Sequence, residues 1–399
     1  MSSRLPKITI WRVIFAAVLL SGLYATYLRI FYGLGGSTNL SDRFPWGIWI
    51  AFDVLCGVGL AAGGFTLVAA VHIFNIERYK SILRPAILTA FLGYSLVVVA
   101  LLFDLGRPDR LWHPLVMWNP HSVMFEVAWC VMLYTTVLFL EFVPMVFEKF
   151  GWHRPRSWIH NISAPLMIAG VLLSTLHQSS LGSLFLIVPE KMYPLWYSPT
   201  LPAQFYISAI GVGLAMTIFE SWHSSRAFGR ALELPLLASM GRVLAVLMSV
   251  YLWLRFLDLA HRGVFGLLLR NRMETWLFLL EIALMAVPAV LLFNARIRFS
   301  PGALYACAVM VVFGFVANRL NVGVTALESG SGVHYVPRWS EVAVTLSIVA
   351  LGFATFRAIA QYFPVFEPAV GQALSNPAFG KVGQALPPAN AEEERIEVG

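Results

Sequence analysis

Asp53, Glu126, His177, Arg255, Asp258 and Glu281 stand inside apolar stretches of this chain. Each stretch is long enough to cross a bilayer as a helix. A charge at the bilayer centre costs about 2.5–3.5 kcal/mol or more, so such residues face a bundle interior and mark a path for protons, ions or a redox group. In the topology argued below, all six lie in the same outer third of the membrane. That shared depth points to one site.

The chemistry follows from the local runs. Asp53 comes after Phe44-Pro45-Trp46-Gly47, in a segment that continues through Gly57, Gly59, Gly63 and Gly64. Small residues four apart let another helix approach closely, or a flat ring lie against the backbone. Asp53 lies about 10 Å below the outer surface at 1.5 Å per residue, where it must be paired, protonated or solvated. Glu126, just after Pro120-His121-Ser122, reaches a similar depth. The run His177-Gln178-Ser179-Ser180-Leu181-Gly182-Ser183 ends a span otherwise built from Leu, Ile and Val. It reads either as a helix end hydrating among headgroups or as the hydrogen-bonding wall of a pocket. In the second reading His177 can bond a quinone carbonyl and carry its proton near neutral pH, with Gln178 and Ser180 adding polar contacts.

Arg255, Asp258 and His261 recur every third residue on one helix face. Arg255 and Asp258 read either as a structural ion pair or as part of the binding site. A later span ends in Asn318-Arg319-Leu320-Asn321. A sparser set, His72, Glu141, Glu220 and His223, lies toward the opposite surface. Interfacial solvation accounts for such residues, but His72, Glu141, Glu220 and Glu281 are also the candidates for a proton route.

The elements that must position these groups are transmembrane helices. Hydrophobic residues make up 58% of the 399 and charged residues 12%, about half the charge of a soluble protein. Mean hydropathy is +0.73. Ten spans are expected, at 11–32, 47–74, 83–104, 122–147, 160–186, 203–226, 236–261, 273–294, 301–320 and 341–363, each near the ~20 residues that cross the hydrocarbon core. The fold class is therefore all-α and integral to the membrane. The first span follows Arg4 and Lys7 but is too long for a signal-peptide core, and is expected to be retained. The net charge of +7 does not indicate nucleic acid, because the cations collect in alternate loops. Arg78, Lys80, Arg84, Lys149, Arg154, Arg156, Arg226, Arg230, Arg296 and Arg298 share one side with both termini, which predicts that side to be cytoplasmic. Loops on the other side are longer and aromatic, as in Trp112-His113-Pro114 and Tyr193-Pro194-Leu195-Trp196-Tyr197, and suit docking. Residues 1–363 form the membrane domain. The tail, 364–399, is rich in Ala, Pro and Gln, ends in an acidic run, and is expected to be disordered.

Cys56, Cys130 and Cys307 are far apart within apolar spans and match no iron–sulfur or zinc spacing. Haem would need histidines on facing helices at matched depth. His72 and His177 lie at opposite edges, leaving His177 with His261 as the one conceivable pair. A proton-coupled transporter or channel could use the same buried charges, though such proteins carry broken helices at midplane.

The runs from Phe44 to Asp53, Asp104-Leu105-Gly106-Arg107-Pro108 and His177 to Ser183 resemble the NrfD/PsrC (polysulfide reductase) membrane-subunit family. Within it, the chain is similar to the ten-helix branch of hydrogenase-2 b-type cytochrome subunits over about residues 8–365. The resemblance implies a subunit of the bacterial or archaeal cytoplasmic membrane with no haem or iron–sulfur cluster of its own. It implies electron exchange between menaquinone or ubiquinone and a ferredoxin-like iron–sulfur subunit on the outer face, with a periplasmic catalytic or multihaem subunit beyond. It also implies roles for Asp53, Glu126, His177, Gln178 and Ser180.

Overall fold

A computed structural model describes residues 9–366. Among these residues the regular structure is helical, apart from one isolated bridge between Ser41 and Phe44. The long helices are α1 (Ile10–Ser37), α2 (Trp49–His72), α3 (Lys80–Asp104) and α4 (Val123–Phe150). Next come α5 (His153–Asn161), α6 (Ser163–Ser183), α7 (Leu201–Ala227) and α8 (Leu234–His261). The last are α9 (Met273–Leu291), α10 (Pro301–Leu320) and α11 (Trp339–Tyr362). Among the described residues nine helices are long and apolar enough to cross a membrane, and ten if the bent pair α5 and α6 counts as one span. The ten expected spans are thus present, and the chain is a multi-pass membrane protein. Most of the predicted tail lies outside the described residues.

One expected span differs in form. The segment at 160–186 does not begin as a straight helix, because α5 meets α6 at 59°. α5 is short and carries His153, Arg154, Arg156 and His160, with Ile159 buried beneath. A polar helix with one apolar anchor lies along an interface rather than through the hydrocarbon.

The spans form two four-helix bundles. α2, α3, α4 and α6 make the first, and α7, α8, α9 and α10 the second. α2 is the most enclosed span and touches α7 and α10 across the joint. Gly59 and Gly63 of α2 serve that joint, while Gly57 and Gly64 let α3 approach. A Cβ on Gly213 would fall 2.6 Å from the Gly63 nitrogen, and one on Gly63 2.8 Å from the Gly213 oxygen, so the backbones meet with no room for a side chain. α1 and α11 pair with each other and pack on α3 outside the bundles. α1 is consequently the most exposed span, with Leu20, Leu23, Ile30 and Phe31 turned outward as expected of a lipid-facing helix.

Local chemistry fixes the helix ends that matter. Ser122 caps α4 by accepting from the Phe125 amide. Arg29 of α1 donates to the Phe103 and Leu105 carbonyls, satisfying the end of α3. Phe44 stacks on Tyr335 at 4.9 Å, Ile48 N donates to Tyr335 Oη and Trp49 Nε1 to the Glu341 carbonyl, so the start of α2 is tied to the start of α11. Glu341 is fully buried and accepts from Tyr335 Oη at 2.5 Å and from the amides of Asn39 and Arg338. That acceptor bond and the burial raise the Tyr335 hydroxyl well above its usual range, with burial the larger cause.

Candidate functional site

The first bundle holds a polar seam between α4 and α6. On α4, Glu126, Cys130, Tyr134 and Glu141 follow helical spacing and share one face. On α6, Gly170, Ser174, His177 and Ser180 do the same. The faces meet at the Lys/Arg-poor end, where the Ser180 hydroxyl donates to Glu126 Oε1. They meet again toward the Lys/Arg-rich end, where a Cβ on Gly170 would lie 3.6 Å from Glu141 Oε1. Glu126 and Glu141 are thus about 22 Å apart along one helix face.

Between those ends the seam is polar yet unpaired. His177 is fully buried, its ring 5.7 Å from Tyr94, and Tyr94 meets Tyr134 edge-on at 4.6 Å. Neither His177 nitrogen has a hydrogen-bond partner in the protein, nor have the hydroxyls of Tyr94, Tyr134 and Ser174. Tyr134 stands beside Ser174, and Tyr94 beside Gln178, out of bonding geometry. Most buried polar groups are bonded, so a cluster of unpaired ones is chemically informative. The atoms offer donors and acceptors to a carbonyl-bearing ring or to water. Glu126 is exposed at the bundle edge while Ser180 behind it is buried, so the seam begins at the bundle surface.

Asp53 stands apart from this seam. Its carboxylate accepts from Thr345 Oγ1 of α11 at 2.8 Å. Gln178 reaches α2 on another side, donating to the Val58 carbonyl at 3.3 Å. The structure therefore joins Glu126 to Ser180 and sets His177 and Gln178 behind them, but turns Asp53 toward α11. The shared depth read from the sequence does not put them on one wall, because depth leaves rotation about the helix axis free.

Arg255, Asp258 and Glu281 belong to the second bundle. Arg255 and Glu281 are fully buried and pair at 3.6 Å. Arg255 also donates to Gln204 Oε1 at 2.9 Å and to the Leu195 carbonyl at 3.1 Å. Glu281 accepts from Trp196 Nε1 at 2.9 Å, Asn318 Nδ2 at 3.0 Å and Asn321 Nδ2 at 2.7 Å. A π-helical turn, Asn321–Thr325, continues α10 and brings Asn321 round to this carboxylate. Arg319 donates to Ser208 Oγ at 2.8 Å and lies 3.5 Å over the Phe205 ring. Asp258 does not pair with Arg255. It takes two bonds from Arg262, at 2.9 and 2.6 Å, one turn further on. Arg255 points into the bundle and Arg262 toward the surface loop at Pro194, so the two cations serve different layers.

Toward the Lys/Arg-rich end, His72 and Glu141 line one cavity of about 510 Å³ between α2, α4, α5 and α6. Glu220 accepts from Thr89 Oγ1 at 2.7 Å beside a cavity of about 10 Å³ at the bundle joint, near Gly63 and Gly64. His223 is bonded to Tyr305 at 3.0 Å. His261 is exposed at the end of α8, in the bundle that does not hold His177. Among the described residues no three His, Cys, Asp or Glu side chains are grouped to hold a metal.

Sequence reasoning passed over Tyr94, Tyr134, Ser174, Gln204, Trp196 and Thr345. Tyr134 and Ser174 were reachable by helical spacing from Glu126 and His177. The others join through tertiary packing and carry no local signal.

Residues 36–327 match the family described as Polysulphide reductase, NrfD. A protein of Nitratidesulfovibrio vulgaris is 39% identical over 363 residues, covering 88% of this chain and 93% of its own length. A probable Ni/Fe-hydrogenase 2 b-type cytochrome subunit of Escherichia coli is 32% identical, covering 89% and 92%. The integral membrane subunit of a menaquinone reductase of N. vulgaris is 30% identical, covering 91% and 93%. With its helical membrane architecture and this breadth of match, the chain belongs to the polysulphide reductase NrfD family.

Proposed function

We propose that this chain is the quinone-reactive membrane subunit of a multisubunit oxidoreductase in a bacterial or archaeal cytoplasmic membrane. The observation that carries the reading is the Glu126–Ser180 contact at an exposed bundle edge, backed by unpaired His177, Tyr94 and Tyr134. A quinone is an apolar ring with two acceptor oxygens, and reduction adds two electrons and two protons. The seam offers that chemistry a carboxyl at an exposed bundle edge to exchange protons and polar groups placed behind it. The menaquinone-reductase relative supports the same substrate class.

In this reading Glu126 holds the proton exchanged at the site, Ser180 fixes its carboxyl, and His177 and Gln178 bond the quinone oxygens. Asp53, bonded to Thr345 on the α11 side, stays outside this wall. Electrons arrive from an iron–sulfur partner docked on the aromatic Lys/Arg-poor face, where Trp112, Val116, Trp118 and Leu269 are exposed. A periplasmic catalytic or multihaem subunit lies beyond that partner. Protons move along the α4–α6 seam toward Glu141 and His72, with Glu220 as a second branch. Glu281, Arg255 and Asp258 hold the second bundle in place.

The test is quinone-linked electron transfer in membranes containing the assembled complex. Glu126→Gln and His177→Ala should each slow turnover by about 10²-fold, the scale of losing a general acid or base. Both variants turning over at wild-type rate, with normal assembly, would place the quinone elsewhere. Purification without any iron–sulfur partner would favour a proton-coupled transporter instead.

A further inference from the structure

The cavity at the Lys/Arg-rich end has a composition that proton transfer alone does not require. His153, Arg156, Ser157 and His160 line its mouth from α5 at positions i, i+3, i+4 and i+7, so one face of that helix borders the cavity while remaining exposed, with Ile159 buried beneath. The opposite wall and floor are mostly apolar, with Val68, Leu140, Leu166 and Met167, and carry His72 and Glu141 among them. A volume of about 510 Å³ is that of a small-molecule site. The cations sit at its rim. Arg156 reaches Glu148 at 3.2 Å, and Arg84 reaches the same carboxylate at 3.2 Å, leaving this trio with a surplus positive charge. Glu141 lies seven residues deeper on α4, about 10 Å below that rim, so its carboxylate is not in the cationic layer.

A cationic and hydroxyl-bearing rim over a mostly apolar floor, bounded by an interfacial helix, is complementary to an amphiphile with an anionic head. We propose that this cavity seats the phosphate headgroup of an anionic phospholipid, with Arg156, His153 and His160 at the phosphate and the acyl chains against Leu166 and Met167. Basic pockets between helices at the cytoplasmic surface take such headgroups. The idea is independent of the quinone reading and needs only that this end face the leaflet that carries anionic lipid. It also gives a reason for the bend between α5 and α6, since a straight helix would carry the polar stripe out of the cavity.

The test is native mass spectrometry of the full-length protein, with any accompanying subunits, after exchange into mild detergent. Phosphatidylglycerol, cardiolipin, phosphatidylcholine and inorganic phosphate are offered separately. Wild type should retain the two anionic lipids over phosphatidylcholine. Arg156→Gln combined with His160→Gln should lower retention about tenfold, the scale of losing a charge-assisted hydrogen bond. Leu166→Trp, which fills the floor and leaves the charges in place, should lower it as well. Arg154→Gln, on the same helix but not lining the cavity, should leave retention within about twofold, as a change in general surface charge would. Equal retention of phosphatidylcholine, equal loss in Arg154→Gln, competition by inorganic phosphate alone, or a quinone retained in place of lipid would each overturn the proposal.

Discussion

Replacing Glu281 separates a structural carboxylate from a proton carrier. The side chain is fully buried and receives Trp196, Asn318 and Asn321 at 2.7–3.0 Å, with Arg255 at 3.6 Å. Glu281→Leu leaves the Trp196 and Asn318 donors unbonded, Asn321 with only the Leu277 carbonyl at 3.4 Å, and Arg255 without its counter-ion. Breaking one side of a buried ion pair in a soluble protein costs about 3–5 kcal/mol. Polar contacts within membranes average about 0.6 kcal/mol, because the separated helices also find partners. The four contacts together therefore suggest a loss of about 2–4 kcal/mol for Glu281→Leu. Glu281→Gln keeps the shape and one acceptor oxygen, and Arg255 keeps Gln204 and Leu195, so about half that loss is expected. Adding Arg255→Met to Glu281→Leu should recover part of the stability by removing the stranded charge. Thermal unfolding of the detergent-purified protein, followed by tryptophan fluorescence, reads the order wild type, Gln, Leu, with the double variant above Leu. A Leu variant as stable as wild type would refute the structural assignment. A Gln variant of normal stability that abolishes quinone turnover would make Glu281 the proton carrier that its depth alone suggested.

Gly213→Val should prevent the two bundles from closing, since its Cβ would stand 2.6 Å from the Gly63 nitrogen; reduced accumulation in membranes checks this, and normal accumulation would show that the joint can yield. A reporter fused after residue 363 should be active only in the cytoplasm, and periplasmic activity would reverse the orientation read from the Lys/Arg distribution. Purified protein freed of its partners should show no stoichiometric Soret band, because His177 and His261 stand in different bundles; a band that survives would establish a haem carrier.

Much of this protein was legible from its sequence because the bilayer is a severe solvent. Backbone groups in hydrocarbon must bond internally, so apolar segments of the right length have to be helices. That constraint gave the spans, and the scarcity of charge within them singled out Glu126, His177, Glu281 and Arg255 as buried or partnered groups. The glycines of α2 were also readable as a close-packing stripe, and Gly63 against Gly213 is that contact. Helical spacing also sets Glu126, Tyr134 and Glu141 on one face, although Tyr134 was passed over in the sequence.

Rotation and pairing were decided only by the tertiary structure. A sequence position fixes depth at a constant rise per residue, but not which neighbour a side chain meets. Asp53 and His177 share a depth, yet one meets Thr345 of α11 and the other Tyr94 of α3. Arg255 and Asp258 share a helix face in sequence, yet each finds a better partner, Glu281 on α9 and Arg262 one turn on. The donors to Glu281 come from a loop tryptophan, Asn318 on α10 and Asn321 in the π-helical turn after it, brought together by packing of segments more than thirty residues apart. The inner cavity likewise depends on the 59° bend before α6, which lays a short basic helix across its mouth with Ile159 buried beneath. Local composition sets what each span can be; the close approach of backbones at small residues sets which polar groups it meets.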